Sequence, residues 1–151
     1  MKKQLSKHER EEFQQRVTVF GIALDKKDSV ELSEDDKGRR WLINGQQAFV
    51  ELAGTLLPHL RYLLNHDLLK NVVIDMGAVK FVTSGADVMR PGIKEFASGI
   101  ANGEIVVGVD INNKTPLAVG RMLFSGEEAQ AMAKGKVIKN LHWVGDELWN
   151  P

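Results

Sequence analysis

Basic and hydroxyl side chains cluster around one glycine near the middle of this chain. Lys80 and Ser84 precede Gly85, and Arg90 and Lys94 follow it closely. A glycine that ends a helix can adopt a left-handed conformation without a Cβ clash, and the resulting bend exposes backbone N–H groups. Backbone N–H groups, hydroxyls and cationic side chains are the donors that hold anions in proteins. The stretch therefore predicts a site for an anionic ligand.

The elements that would position these side chains follow from the apolar pattern. Val72 to Ile74 is an apolar run typical of a buried strand, and Asp75 is placed to cap the helix after it. Apolar residues recur at helical spacing up to Val82, and the Ser84-Gly85 pair then interrupts them. Val88-Met89 predicts a short strand that ends at a Pro-Gly turn. The predicted order is helix, glycine turn, short strand, turn.

The same stretch carries a resemblance to a known family. The run GAVKFVTSGADVMRPGI at residues 77–93 resembles the first half of a PUA domain, the small RNA-binding barrel of pseudouridine synthases and archaeosine transglycosylases. Residues 104–110, 116–121 and 135–146 are similar to its second half. The same run and the ending Gly145-Asp146-Glu147-Leu148-Trp149 more narrowly resemble the malignant T-cell-amplified sequence family, to which ligatin is related.

This resemblance implies which residues meet RNA. In PUA domains RNA generally lies on the first helix, the glycine turn, the next strand and the last strand. Gly85 would permit close approach of the backbone, and Arg90 and Lys94 would contact phosphate. The RNA-binding residues implied in this chain are Lys80, Ser84, Gly85, Arg90, Pro91, Gly92, Lys94 and Lys139, with Arg121 and Lys136 as further basic candidates.

Aromatic residues add little to this surface at the level of sequence. Trp41, Trp143 and Trp149 are expected to pack in cores rather than to stack on bases. Recognition of structured RNA by shape and backbone fits a surface that is poor in aromatic residues.

Catalytic patterns are missing from the sequence. The four histidines have no metal-ligand spacing, and no phosphate-binding loop or nucleophile elbow is present. Asp75, Asp87 and Asp110 are better explained as caps, turns or solvated side chains than as an acid–base group. We therefore expect no enzyme, no metal and no cofactor.

Charge and cysteine content restrict the kind of RNA binding and the cell compartment that we expect. Lys and Arg number 20, as do Asp and Glu, so RNA binding would need a focused patch rather than bulk positive charge. The absence of cysteine excludes disulfides and thiolate chemistry and fits a reducing compartment. The Met-Lys-Lys start lacks a following apolar stretch, and no run is long enough to span a bilayer. We expect a cytoplasmic protein with no membrane partner.

The first half predicts a small α+β domain. Ser6 and Glu9 have capping-box spacing before a helix from Lys7 to Phe20. The Asn44-Gly45 pair, with alternating apolar residues on both sides, predicts a β-hairpin. Residues 56–64, with Pro58 near the start, predict a second helix.

The second half contains more strands than helices. Residues 104–110, 116–124 and 136–144 predict strands, and Ser125 opens a short helix. Phe96 and Ile100 are expected in a loop region. The predicted fold is α+β, with an α+β pre-PUA domain at residues 1–70 and a PUA β-barrel, or pseudo-barrel with two short helices, at residues 71–151.

Three functions remain open. The resemblance implies a non-enzymatic protein that binds tRNA or rRNA in translation initiation or recycling on the small ribosomal subunit, with a partner like density-regulated protein. The alternative is an RNA-delivery subunit of an RNA-modification enzyme. A protein-interaction module that has lost RNA binding is also compatible with the zero net charge.

Overall fold

The computed structural model of this protein describes residues 1–150, which divide into an N-terminal unit, Met1–Leu68, and a C-terminal unit, Leu69–Asn150. In the N-terminal unit five antiparallel strands form one sheet, each paired with the next strand along the chain. The elements are β1 (Lys2–Gln4), α1 (Lys7–Val17), β2 (Val30–Asp35), β3 (Gly38–Ile43), β4 (Gln46–Leu52), β5 (Thr55–Pro58) and α2 (Leu60–Leu63).

Helix α1 begins with the predicted capping box. The Ser6 hydroxyl accepts a hydrogen bond from the Glu9 N–H, and the Glu9 carboxylate accepts one from the Ser6 N–H. Phe13 is buried against the sheet and stacks on Trp41 with ring centroids 5.5 Å apart. The helix is shorter than predicted, because residues 18–20 continue it only as a 3₁₀ turn.

The Asn44-Gly45 hairpin is present as predicted. Both residues have positive φ, +52° and +80°, which is the geometry of a type I′ turn. This turn matches the twist of its flanking strands β3 and β4 and fixes their register.

The predicted helix over residues 56–64 is wrong. Residues 55–58 form β5 at the edge of the sheet, where Pro58 lies opposite Phe49. A proline is tolerated on an edge strand because its missing N–H takes no ladder hydrogen bond away. Only Leu60–Leu63 is helical, and the His59 ring caps it by accepting from the Arg61 N–H.

The C-terminal unit is built on six strands of one curled sheet. Its elements are β6 (Asn71–Ile74), α3 (Met76–Val82), β7 (Val88–Met89), β8 (Ile93–Phe96), β9 (Ile105–Asp110), β10 (Pro116–Met122), α4 (Gly126–Gln130) and β11 (Lys136–Trp143). The strand order is β7-β11-β10-β9-β6-β8, so the predicted pseudo-barrel is a half-barrel with β7 and β8 at its edges. The α+β class is confirmed.

Strand β6 links the two kinds of pairing in this sheet, since it runs parallel to β9 and antiparallel to β8. Strand β8 was not predicted. Lys94 and Glu95 are both exposed on it, so it lacks the alternation that signals a strand. Phe96, predicted in a loop region, ends this strand. Within residues 1–150 no helix has the length and apolarity needed to cross a membrane.

Candidate nucleic-acid interface

Helix α3 and the bend that follows it are present, but the N–H groups of Ser84, Gly85 and Ala86 donate to carbonyls of α3 and are not exposed for an anion, contrary to the prediction. The Asp75 carboxylate caps the helix by accepting from the Gly77 N–H at 3.3 Å. The bend, residues 83–87, turns at Gly85, whose φ is +98°. Its N–H donates to the Val82 carbonyl at 3.1 Å, and the chain then enters β7. The predicted order of helix, glycine turn, short strand and turn is therefore present.

Asn140 on β11 fixes the bend to the sheet. Its Nδ2 donates to the carbonyls of Val82 and Ala86 at 2.9 and 3.0 Å, and so satisfies two acceptors at the helix end. The side chain is only 6% exposed. Sequence analysis missed this residue, although an asparagine within an otherwise β-forming run is a signal, since asparagine is depleted in strands.

Gly85 has a packing role that is independent of any ligand. A Cβ at this position would lie 2.7 Å from Cζ2 of Trp143, well inside van der Waals contact. The glycine therefore lets the indole ring pack against the bend. Trp143, which was expected to pack in a core, does so here, since it lies against the apolar cluster of the C-terminal unit.

Lys136 and Lys139 meet at one carboxylate. Their Nζ atoms lie 3.0 and 3.7 Å from the oxygens of Asp87, which also accepts from the Asn140 N–H at 2.9 Å. Burial alone would raise the pKa of Asp87, but these hydrogen bonds and the two lysine charges hold it below its ordinary value. Asp87 is therefore ionised at neutral pH and balances one of the two positive charges.

Arg121 adds a third cation on the neighbouring strand. It is directly opposite Lys139 in the β10–β11 ladder, and directly opposite residues project from the same face of a sheet. Its Nη1 donates to the Gly103 carbonyl at 3.1 Å. The structure thus brings Lys136 and Lys139 together at Asp87 and places Arg121 opposite Lys139, although sequence alone did not fix where Arg121 and Lys136 face.

Arg90 is held by the protein itself. Its guanidinium donates to the carbonyls of Ile93 and Gln130 at 2.9 and 3.3 Å and lies over the Phe96 ring, 5.3 Å from the centroid. These contacts join the turn after β7 to β8 and to the end of α4. A phosphate contact at Arg90 stays a prediction, and this geometry gives the side chain a structural role first.

The remaining predicted residues lie at the start of α3. The Lys94 Nζ is 3.9 Å from an oxygen of Asp75, and Pro91 is exposed. The Gly92 carbonyl accepts from the Asp75 N–H, and a Cβ on Gly92 would lie 2.9 Å from that of Ala78. Gly92 therefore allows the turn to pack closely against α3.

Two exposed apolar side chains lie among these cations and were not singled out from the sequence. Phe81 is 57% exposed at the end of α3, with the Lys80 Nζ 5.2 Å from its ring centroid. Met89 is 47% exposed and lies opposite Lys136 in the β7–β11 pair. An exposed ring beside a cation can stack on a base. The predicted RNA surface therefore contains one exposed aromatic side chain, which the sequence analysis did not expect.

The three aspartates considered as acid–base candidates hold local structure instead. Asp75 caps α3, Asp87 pairs with lysines, and Asp110 accepts from the N–H groups of Asn113 and Thr115 in the β9–β10 loop. Among residues 1–150, no group of three or more His, Asp or Glu side chains is arranged to hold a metal ion.

Comparison with known proteins relates both units to families. The PUA domain family matches residues 70–144, and a domain of unknown function, DUF1947, matches residues 2–66. An uncharacterized protein of Methanocaldococcus jannaschii, MJ1432, is 38% identical over 97% of this chain and 93% of its own. Translation machinery-associated protein 20 of Eremothecium gossypii is 32% identical over 93% of this chain and 82% of its own.

Solved structures agree with these matches. The hypothetical protein PH0734.1 of Pyrococcus horikoshii superposes with a TM-score of 0.85 at 33% identity, over 99% of this chain and 98% of that one. A chain in the structure of an H/ACA ribonucleoprotein bound to a substrate RNA superposes with a TM-score of 0.52 at 26% identity, over 65% of this chain and 30% of that one.

A third relative links the chain to the family that its central stretch resembles. Malignant T-cell-amplified sequence 1-B of Xenopus laevis is 34% identical over 72% of this chain and 62% of its own. The chain therefore belongs to the PUA-domain proteins of the family that contains translation machinery-associated protein 20 and the malignant T-cell-amplified sequence proteins.

Proposed function

We propose that this protein binds structured RNA during translation and catalyses no reaction itself. The PUA fold and the similarity to translation machinery-associated protein 20 and the malignant T-cell-amplified sequence proteins support this function. The observation that carries the proposal is the tie from Asn140 to the bend, which fixes the end of α3 beside the basic strand β11. We call the exposed side chains at this junction the bend surface: Lys80, Phe81, Ser84, Met89, Lys136 and Lys139.

The bend surface has the chemistry that structured RNA requires. Its lysines supply phosphate contacts, and Phe81 offers one ring face to an unpaired base. The Asp87 carboxylate neutralises part of the positive charge of Lys136 and Lys139, and this disfavours non-specific binding to polyanions. A phosphate that binds between Lys136 and Lys139 would take the place of Asp87 as their counterion.

The resemblance to this family also supports a finer proposal. We propose tRNA or rRNA as the ligand and the small ribosomal subunit as the place of action, in initiation or recycling. A separate partner like density-regulated protein would assist, and the N-terminal unit would provide its docking surface. The residues Arg90, Pro91, Gly92, Lys94 and Arg121 remain predicted contributors to RNA binding.

A binding titration tests the proposal. Lys136→Gln together with Lys139→Gln should weaken binding to tRNA or to small-subunit rRNA at least about tenfold and reduce the slope of log affinity against log salt by about 1.5. The reason is the loss of two phosphate contacts. Fluorescence anisotropy over a range of salt concentrations measures both quantities.

The matched control replaces two lysines elsewhere. Lys26 and Lys27 are exposed in a loop of the N-terminal unit, so Lys26→Gln with Lys27→Gln removes the same charge from residues that are not part of the bend surface. This variant should bind RNA as the unchanged protein does. Equal affinities and equal salt slopes for both double variants would refute the bend surface as the RNA site.

A second candidate function is delivery of RNA to a modifying enzyme on another chain. The similarity to a chain of an H/ACA ribonucleoprotein favours it. Affinity purification from the native cells separates the two functions. Small ribosomal subunits among the bound material would support the translation role, and a modifying enzyme in stoichiometric amount would support delivery.

A further inference from the structure

A polar cavity of about 450 Å³ lies within the N-terminal unit, and none of the residues that line it belongs to the bend surface. This volume falls in the range of small-molecule sites, about 300–1,000 Å³. The loop after α1 forms one side, the Asn44-Gly45 hairpin another, and Tyr62 of α2 with His66 beyond its end the third. The residues that line it are Gly21, Ile22, Ala23, Leu24, Asp28, Ile43, Asn44, Gln46, Tyr62 and His66.

Tyr62 contributes a hydroxyl that has no protein partner within residues 1–150. The residue is only 7% exposed, and its ring stacks on that of His66 with centroids 3.8 Å apart and planes at 7°. Burial and the nearby charge of Asp28 raise the pKa of this hydroxyl, which stays protonated at neutral pH. The hydroxyl is therefore available to a ligand that enters the cavity.

Hydrogen-bond acceptors predominate on the cavity wall. Asp28 is its one carboxylate, and each of its oxygens accepts a single bond, from the Asp25 N–H and from Asn44 Nδ2, which leaves further lone pairs. His66 Nδ1 lies 2.9 Å from the Tyr62 carbonyl; since a carbonyl only accepts, Nδ1 is the donor of this pair, and Nε2 is the acceptor in the corresponding neutral tautomer. The Gln46 side chain is exposed and adds an amide oxygen.

Acceptors, one negative charge and a stacked aromatic pair together select a planar cation with several donors. A guanidinium group has this chemistry, since it donates in a fixed fork to carboxylates and stacks on aromatic rings. Arg10 is held nearby, but its guanidinium donates to the backbone carbonyls of Asp25 and Asp28, and the residue does not line the cavity. We propose that this cavity binds a guanidinium group, carried either by a small molecule or by an arginine side chain of a partner protein.

Titrations of the full-length protein with two probes distinguish these two sources. Agmatine represents the free cation, and a capped Gly-Arg-Gly tripeptide represents the side chain; a capped Gly-citrulline-Gly tripeptide is the neutral isostere. Amide resonances of Gly21, Asn44 and Gln46 should shift saturably with agmatine. A response to the arginine peptide as well would indicate a docking site for a partner, and a response to agmatine alone would indicate a small-molecule site.

Two variants test the assigned groups. Asp28→Asn should weaken agmatine binding about tenfold or more through loss of the charged acceptor, and Tyr62→Phe, which removes one hydroxyl and keeps the stack, should weaken it several-fold. Because Asp28 also organises its loop, Tyr62→Phe keeps the test valid if Asp28→Asn unfolds. The proposal is overturned if agmatine does not saturate these shifts, if the citrulline peptide binds equally well, or if Tyr62→Phe leaves the affinity unchanged.

This inference does not depend on the proposed RNA function. The Lys136→Gln and Lys139→Gln double variant should bind agmatine as the unchanged protein does. A loss of RNA binding and a loss of guanidinium binding can therefore be observed separately.

Discussion

At the residue scale, the Asp146 carboxylate accepts several hydrogen bonds from the end of β11 and from the residues after it. One carboxylate oxygen accepts from His142 Nδ1 at 2.8 Å and from the Trp143 N–H at 2.9 Å, and the other accepts from the N–H groups of Leu148 and Trp149. Burial would raise the pKa of Asp146, but the hydrogen bonds and the charge of His142 lower it below its ordinary value of 3.8. The carboxylate therefore stabilises the fold in its ionised form.

Removal of this charge should cost stability in a way that depends on pH. Because the folded-state pKa is depressed, the stabilisation is complete above the unfolded pKa and is lost as pH falls through the folded pKa. Asp146→Asn should lower the free energy of unfolding at pH 7 by about 2 kcal/mol, and this difference should shrink as the pH falls below about 4. Urea unfolding followed by tryptophan fluorescence at several pH values measures the effect.

The neighbouring Glu147→Gln is the matched control, because Glu147 is exposed and should show little difference at any pH. A destabilisation by Asp146→Asn that is the same at pH 7 and at pH 3 would contradict the role given to the charge.

At the element scale, the hydrogen bonds of Asn140 link β11 to the end of α3 and to the bend. Asn140→Asp keeps the shape of the side chain but removes both Nδ2 donors, so the Ala86 carbonyl loses its Asn140 bond and the Val82 carbonyl keeps only the Gly85 N–H. The variant should lose about 1–3 kcal/mol of unfolding free energy and should bind tRNA more weakly. Hydrogen exchange of the amides in residues 84–88 should accelerate more than exchange elsewhere.

Asn112→Asp is the control for this prediction, since Asn112 is exposed in the β9–β10 loop. Asn112→Asp adds the same negative charge at a residue that does not bond to the bend. If both variants exchange equally slowly in residues 84–88, Asn140 does not hold the bend.

The elements also show what the sequence could predict. The Asn44-Gly45 turn, the Ser6 and Ser125 capping boxes and the glycine bend were predictable because each rests on local chemistry within a few residues. Strand β5 was not, because its apolar residues and proline fit a helix start equally well and only the pairing with β4 distinguishes the two. Long-range pairing leaves no local signal of this kind.

The candidate site follows the same division. The identities of Lys80, Ser84 and Lys139 could be taken from the resemblance, because a family motif fixes positions along the chain. The sharing of Asp87 by two lysines, the internal bonds of Arg90 and the exposure of Phe81 depend on contacts between distant segments. Asn140 meets Val82 across 58 residues of sequence and Ala86 across 54, which no local pattern reports.

At the scale of the whole molecule, each unit has its own apolar core. One cluster contains Phe13, Trp41 and Phe49 with their neighbours in the N-terminal unit, and the other contains Val72, Met122 and Ile138 with theirs in the C-terminal unit. Separate cores are the feature that allows domains to fold alone. The domain boundary predicted between residues 70 and 71 stays a prediction, and separate folding can be tested by cutting the chain between Leu68 and Leu69, where the two units of the structure divide.

A fragment of residues 69–151 should fold cooperatively and bind the same RNA within about threefold of the affinity of the full chain, a difference of less than 1 kcal/mol. The reason is that this fragment contains the whole bend surface, Asn140 with the carbonyls to which it donates, and one complete apolar core. Calorimetry of the fragment and anisotropy with the same RNA measure the two outcomes.

A fragment of residues 1–68 is the control, and it should bind agmatine but not RNA. If the C-terminal fragment folds with a single transition yet binds RNA more than about a hundredfold more weakly, the N-terminal unit must itself contact the RNA.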